Sequence, residues 1–229
     1  KAMGISWVKI LSSGNDLLSA ARVANLVTLN GLVPILRYMW PTNYPQVPNT
    51  TLLDPVRNAT RIFASQGIKY FETDNEPNNV MEWDRANNDF AWRLHDNDRP
   101  EYVAALWLEK AKAIAEAGGI PMFPALSPGG DHDDEDFFPR MLYALKNSGN
   151  GSWVGDHCVI AVHNYTLSHP LDYPYDRVNQ TQNPGQALRS SHGASNCFLK
   201  YVWAHDVARD IIGYSLPVLS TESGARLGD

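Results

Sequence analysis

The chain has 229 residues, 44% of them hydrophobic and 19% charged, which is enough for one sizeable core or two small ones and is an ordinary globular composition. A net charge of -6 without any run of Lys and Arg argues against nucleic acid as a partner. No apolar stretch reaches membrane-spanning length, and no signal-peptide pattern is seen. The chain begins at Lys1 without a Met and is at once in a strand, so processing, truncation or excision from a longer protein is expected.

In chain order, "GISWVKIL" (4–11) reads as a strand, and "DLLSAARVANLVTLNG" (16–31) as a helix closed by glycine. "LVPILRYMW" (32–40) is the next strand, followed by a loop rich in Pro, Asn and Thr to about residue 53. "DPVRNATRIFASQG" (54–67) starts with an N-cap Asp, then Pro at the first helical position. "IKYFETDNEP" (68–77) is a strand, and a polar and aromatic segment runs on to Arg99. "PEYVAALWLEKAKAIAEAGG" (100–119) is a helix whose stripe is Val103, Leu106, Trp107, Ala111 and Ile114. "IPMFPALSPGG" (120–130) is a strand with a Gly-rich exit, and 134–149 is a helix whose start falls at Asp134 or beyond Pro139. "CVIAVHNYT" (158–166) is a strand, a long loop covers 167–193, 194–213 is a helix, and "LPVLSTESG" (216–224) is the last strand.

Six strands alternating with five helices, with gaps long enough for right-handed crossovers, predict an α/β fold with a parallel sheet. No Gly-rich nucleotide fingerprint follows the first strand, and polar and aromatic residues gather where strands end. This favours a (β/α)8 TIM-type barrel over a doubly wound sheet. Six units are two short of eight, so the barrel is expected to be incomplete, as a single catalytic domain over 1–229.

Glu76 ends the strand that begins at Ile68, and Glu222 ends the last strand. A barrel brings such residues to one rim, and two carboxyl groups are what glycoside hydrolysis requires. One protonates the leaving oxygen; the other attacks the anomeric carbon or activates water. Glu72, Asp74 and Glu76 alternate and are expected to share one face, with Lys9 and Arg37 as the candidate cations for the two deeper acids.

"DNEPN" (74–78), "AVHNY" (161–165) and "STESG" (220–224) resemble, in this order, the motifs of the clan A retaining glycoside hydrolases. The Asn-Glu-Pro-Asn form is similar to that of glycoside hydrolase family 39 and neighbouring cellulase-like families. The likeness covers nearly the whole chain as topology and some fifteen residues as motif, and matches the present strands to barrel strands two to seven. It implies a retaining glycosidase acting on β-linked oligo- or polysaccharide, extracellular, with no cofactor. Glu76 would be the acid/base, Glu222 the nucleophile, Asn75 a contact to the sugar 2-hydroxyl, Tyr165 the residue orienting Glu222, and His163 a lining residue. Lys9 stands where the clan commonly has an Arg; Arg37, one strand later, is the expected substitute and a substrate contact. The clan's eighth strand, with its aromatic floor, is not in this chain.

Trp40, at a strand end, is the best candidate for stacking on a sugar ring; Trp83 and Trp92 are alternatives, and Asn78 is a further substrate contact. "DHDDED" (131–136) lacks the spacing of an EF-hand and reads as a solvated acidic loop capping the next helix. Cys158 and Cys197 read as buried thiols, and the sequons at Asn49, Asn58, Asn150, Asn164 and Asn179 as chance. No His-x-His or His-Glu-x-x-His occurs, so no metal ligand set is assigned; His132, His169 and Asp172 would be the ligands of a metal-dependent barrel hydrolase. Ser220 lacks a nucleophile-elbow context. Two readings from other classes stay open: a carbohydrate-binding barrel without catalysis, and that metal hydrolase. Oligomeric state is not indicated, and sugar specificity depends on loops 40–53, 77–99 and 166–193.

Overall fold

The computed structural model describes residues 6–12, 16–38, 50–79, 82 and 99–224, with the side chains of 50–52 left aside. Trp40, Trp83 and Trp92 lie outside the described residues. The strands are β1 (Trp7–Ser12), β2 (Val33–Tyr38), β3 (Tyr70–Glu72), β4 (Ile120–Phe123), β5 (Val159–Tyr165) and β6 (Val218–Gly224). The helices are α1 (Leu17–Leu29), α2 (Thr50–Ala64), α3 (Arg99–Glu116), α4 (Asp134–Asn147), α5 (Gly151–His157), α6 (Arg177–Gln182) and α7 (Lys200–Ile212). Parallel strands in sequence order, separated by helices, are the topology of an incomplete (β/α)8-type barrel. No helix among the described residues is long and apolar enough to cross a membrane. The chain divides into two compact units, 1–75 with 81–124 and 76–80 with 125–229.

In the first unit β1, β2, β3 and β4 pair in parallel, each with the next. Ala20, Ala21 and Ala24, with Val27, form the buried face of α1, and the small alanine side chains let the helix backbone approach the strands. Val56 and Phe63 of α2 and Phe71 of β3 join them in one apolar cluster. Each buried polar group in it has a partner: the Tyr38 hydroxyl lies 2.9 Å from Thr60 Oγ1, which donates to Val56 O, and burial pushes the Tyr38 phenol well up. Trp107 of α3 donates its indole N–H to Met122 O at 2.9 Å. β3 is shorter than the sequence suggests, because its last partner on β4 is Pro121, which has no N–H to continue the ladder. α2 begins before Asp54 and carries Pro55 inside it, so the expected cap at Asp54 is not its start.

In the second unit β5 is buried along most of its length, as its near-continuous apolar run requires, and pairs in parallel with β6. Phe137, Phe138, Met141 and Leu142 of α4 are buried, and Phe138 packs on Trp203 of α7 with ring centroids 5.5 Å apart. α4 starts at Asp134 despite Pro139, with the Asp133 side chain accepting from Glu135 N as its cap. α5 and α6 fall in stretches where the sequence shows no period. α7 starts at Lys200, not at Ala194, because Ser195 and Gly193 are drawn away as donors to Glu135. Cys158 and Cys197 are free, buried thiols, and burial pushes both up.

The acidic loop departs from expectation. It does cap α4, but Asp134 is fully buried and ion-paired with Lys200, and it accepts from Gly129 N at 2.8 Å. Glu135 accepts from Gly193 N, Ser195 N and Ser195 Oγ. Burial pushes the Glu135 carboxyl up, but these bonds and the Lys200 charge outweigh it and hold the group below its ordinary value. The loop is thus anchored inward by Asp134 and Glu135, while Asp131 and Asp136 stay exposed as expected.

Candidate active site

The three alternating acids do not share one environment. Glu72 is fully buried, with Lys9 Nζ 3.3 Å from its Oε2. Asp74 turns to α3, where Lys110 is its ion partner, and it accepts from Thr73 Oγ1 at 2.9 Å. The candidate Lys9 is thus a partner, whereas the cation beside Asp74 is Lys110 of a helix and not Arg37. Arg37 is buried on β2, its Cα in register with Glu72.

Regular strand ends at Glu72, so strand alternation does not aim Glu76. Its backbone is left-handed, with φ 39°, a conformation a side chain with a Cβ seldom adopts. Glu76 N donates to Ala125 O at 3.0 Å, and Asn79 N donates back to Glu76 O at 2.8 Å, which closes a tight turn. Asn78 locks that turn: its Nδ2 donates to Ser127 O and His132 O, and its Oδ1 accepts from Ser127 N. A Cβ on Gly130 would lie 2.5 Å from Asn78 Nδ2, so the exit of β4 needs a glycine there. Asn78, expected at the sugar, is buried and committed to this backbone clamp.

Glu76 meets His163. The His163 ring is fully buried, and its Nδ1 is hydrogen-bonded to Glu76 Oε1 at 2.8 Å. Its Nε2 has no hydrogen-bond partner and lies 3.6 Å from Glu222 Oε1. The Tyr165 hydroxyl donates to Glu222 Oε2 at 2.7 Å. One oxygen of each carboxylate and one ring nitrogen lie within 4.8 Å of one another. Glu76, His163, Tyr165 and Glu222 are therefore one cluster, and all four belong to the second unit.

The placement of Glu222 depends on an irregularity. Ala161 and Val162 pair with Leu219 and Ser220, but His163 pairs with Glu222, so Thr221 is passed over. In a regular ladder Glu222 would stand beside Asn164, on the opposite face from His163 and Tyr165. The extra residue turns the carboxylate to the His163 face, the re-aiming that bulges provide beside sites. Ser220, before the shift, stays on the other side, its hydroxyl donating to Asn164 Oδ1, while Asn164 Nδ2 donates to Phe198 O. Asn164 is buried, in keeping with the sequon there being chance.

Asn75 belongs to the first unit, where its Nδ2 donates to Glu82 Oε1 at 2.5 Å. His132 bonds Asp136 and His169 stacks on Tyr173; neither joins His, Cys, Asp or Glu in a ligand cluster among the described residues. Reading the sequence assigned His163 only a lining role and missed its contact with both glutamates. The signal was its two-residue spacing from Tyr165, which puts the two on one face. Nothing in the sequence marks the register shift.

No family model matches the sequence, and no curated protein matches it. Among solved structures the chain is similar to a D-psicose 3-epimerase from Clostridium cellulolyticum H10, crystallised with D-tagatose, at 11% identity over 99% of this chain and 78% of that one, with a TM-score of 0.44. It is also similar to a family 51 α-L-arabinofuranosidase from Bifidobacterium longum, at 14% identity over 91% of this chain and 39% of that one, with a TM-score of 0.48. At such identities and scores neither likeness bears on the site, which stands on its own residues.

Proposed function

We propose that the chain hydrolyses β-linked oligo- or polysaccharide as a retaining glycosidase, with Glu222 as nucleophile and Glu76 as acid/base. The observation that supports this most is the facing of the two carboxylates, whose oxygens come within 4.8 Å, with Tyr165 holding one oxygen of Glu222. Retention uses carboxyl groups about 5–5.5 Å apart, whereas inversion needs about 6.5–9.5 Å to admit a water. In the first step Glu222 Oε1 bonds to the anomeric carbon, the glycosidic C–O bond breaks, and Glu76 gives its proton to the leaving oxygen. In the second, Glu76 takes a proton from water as the water oxygen displaces Glu222. Tyr165 is bonded to Oε2, and the attack is assigned to Oε1. Arg37 and Asn75 as sugar contacts, and secretion of the protein, belong to the same proposal through the family resemblance alone.

The test is a panel of aryl β-glycosides with the wild-type chain and Glu222→Gln. The variant should lose turnover, a mechanism-based fluorosugar should label Glu222 in the wild type, and the first-formed sugar should keep the β configuration by NMR. Full activity in Glu222→Gln would sink the assignment. The second reading, sugar binding without turnover, draws on Lys9, which stands at the clan's arginine position and is engaged by Glu72. It predicts sugar binding with no fluorosugar adduct.

A further inference from the structure

We propose that His163 and Glu222, with Glu76 holding the far side of the His163 ring, form a binding site for a divalent transition-metal ion of the zinc type, a role the sequence did not assign. His163 Nε2 is the pointer. It is a buried ring nitrogen without a hydrogen-bond partner, and it faces Glu222 Oε1 at 3.6 Å. A hydrogen bond between these atoms would be about 2.7–3.2 Å. Two ligand atoms each about 2.0–2.1 Å from one ion, at a tetrahedral angle, stand about 3.4 Å apart. The observed spacing is thus too long for the bond and near the span of a shared ion.

The surroundings agree. A ligating histidine usually donates its other N–H to a carboxylate, which leaves the free lone pair on the metal side; here Nδ1 is bonded to Glu76 Oε1 at 2.8 Å. Tyr165 holds Glu222 through Oε2 and so fixes the carboxylate beside His163. Glu76 stays on the Nδ1 side of the ring as the outer partner, and one oxygen of each carboxylate and one ring nitrogen lie within 4.8 Å of one another. Two carboxylates this near repel each other, and a dication offsets that repulsion. An imidazole nitrogen among the ligands selects zinc-like ions over magnesium, which prefers an all-oxygen octahedron. Bound there, the ion would cover Glu222 Oε1 and block the attack proposed above, but its binding does not depend on that chemistry.

The experiment is calorimetric titration of Zn2+ into the metal-free full chain, without any sugar. One equivalent should bind saturably, and Mg2+ should not. Tyr165→Phe, which removes the hydroxyl bonded to Glu222 Oε2, should weaken binding about tenfold. His163→Gln and Glu222→Gln should each weaken it further, by about a hundredfold or more. Since His163 is buried and its variant can fail to fold, Glu222→Gln with an unchanged thermal melt decides alone in that case. His192→Gln is the control: His192 is exposed and lies 3.4 Å from Asp133 and 3.5 Å from Glu135, a histidine with two acids away from the proposed site. No saturable zinc binding, equal binding of Mg2+, binding unchanged in Glu222→Gln, or binding lost in His192→Gln would each overturn the proposal.

Discussion

At the scale of the residue, Glu76 is under conformational strain. Its positive φ costs about 1–2 kcal/mol for a residue with a Cβ and is free for glycine. Both Glu76→Ala and Glu76→Gly remove the carboxylate and its bond to His163. Glu76→Gly should nonetheless be more stable in urea than Glu76→Ala by about 1 kcal/mol, whereas at an ordinary backbone position alanine would be the better residue. If alanine proves the more stable, the left-handed turn is wrong. Glu135 offers a second test, through pH. Its carboxyl is held below its ordinary value of 4.5, where burial alone would raise it, by the bonds from Ser195 and Gly193 and the Lys200 charge. A group with a depressed folded value contributes its full stability above the unfolded value and loses it as pH falls through the folded one. The gap in melting temperature between wild type and Glu135→Gln should therefore be widest near neutrality and close below about pH 4.5. A gap that stays constant into acid would refute the shift.

At the scale of the element, what could be read from the sequence is what repeats. The alternation of strand and helix gave the order of the elements, and the stripe of Val103, Leu106, Trp107, Ala111 and Ile114 marked a helix whose buried face includes all five. What escaped lacks a period. α5 and α6 are seven and six residues long, too short to show one. The turn at Glu76 uses a left-handed residue that is not glycine, and the shift at Thr221 depends on how β6 meets β5. Glu76 and Glu222 were nevertheless picked out, because their surrounding motifs, not their backbone geometry, carried the signal. The turn into β4 yields a prediction of its own. A Cβ on Gly119 would sit 2.6 Å from the Phe71 ring, which is fully buried, and 2.8 Å from Ile114. Neither neighbour has solvent to retreat into. Gly119→Ala should destabilise the chain by about 1–3 kcal/mol in urea, while Gly149→Ala, with nothing near its Cβ, should cost only the strain of its positive φ.

At the scale of the molecule, buried acids are repeatedly matched by lysines. Lys9 meets Glu72 and Lys110 meets Asp74 in the first unit, and Lys200 meets Asp134 in the second. Glu76, in contrast, is bonded to a histidine. A buried pair is weak evidence for stability as such, since desolvation consumes much of the attraction, but losing one member leaves a charge stranded. Lys110→Met should therefore cost about 3–5 kcal/mol. Adding Asp74→Asn should recover most of that loss, because the neutral amide no longer needs a cation and its oxygen can still accept from the Thr73 hydroxyl. Chemical denaturation of the two single variants and the double variant gives the coupling directly. A double variant no more stable than Lys110→Met would mean that the lysine acts through its packed methylene stem and not through its charge.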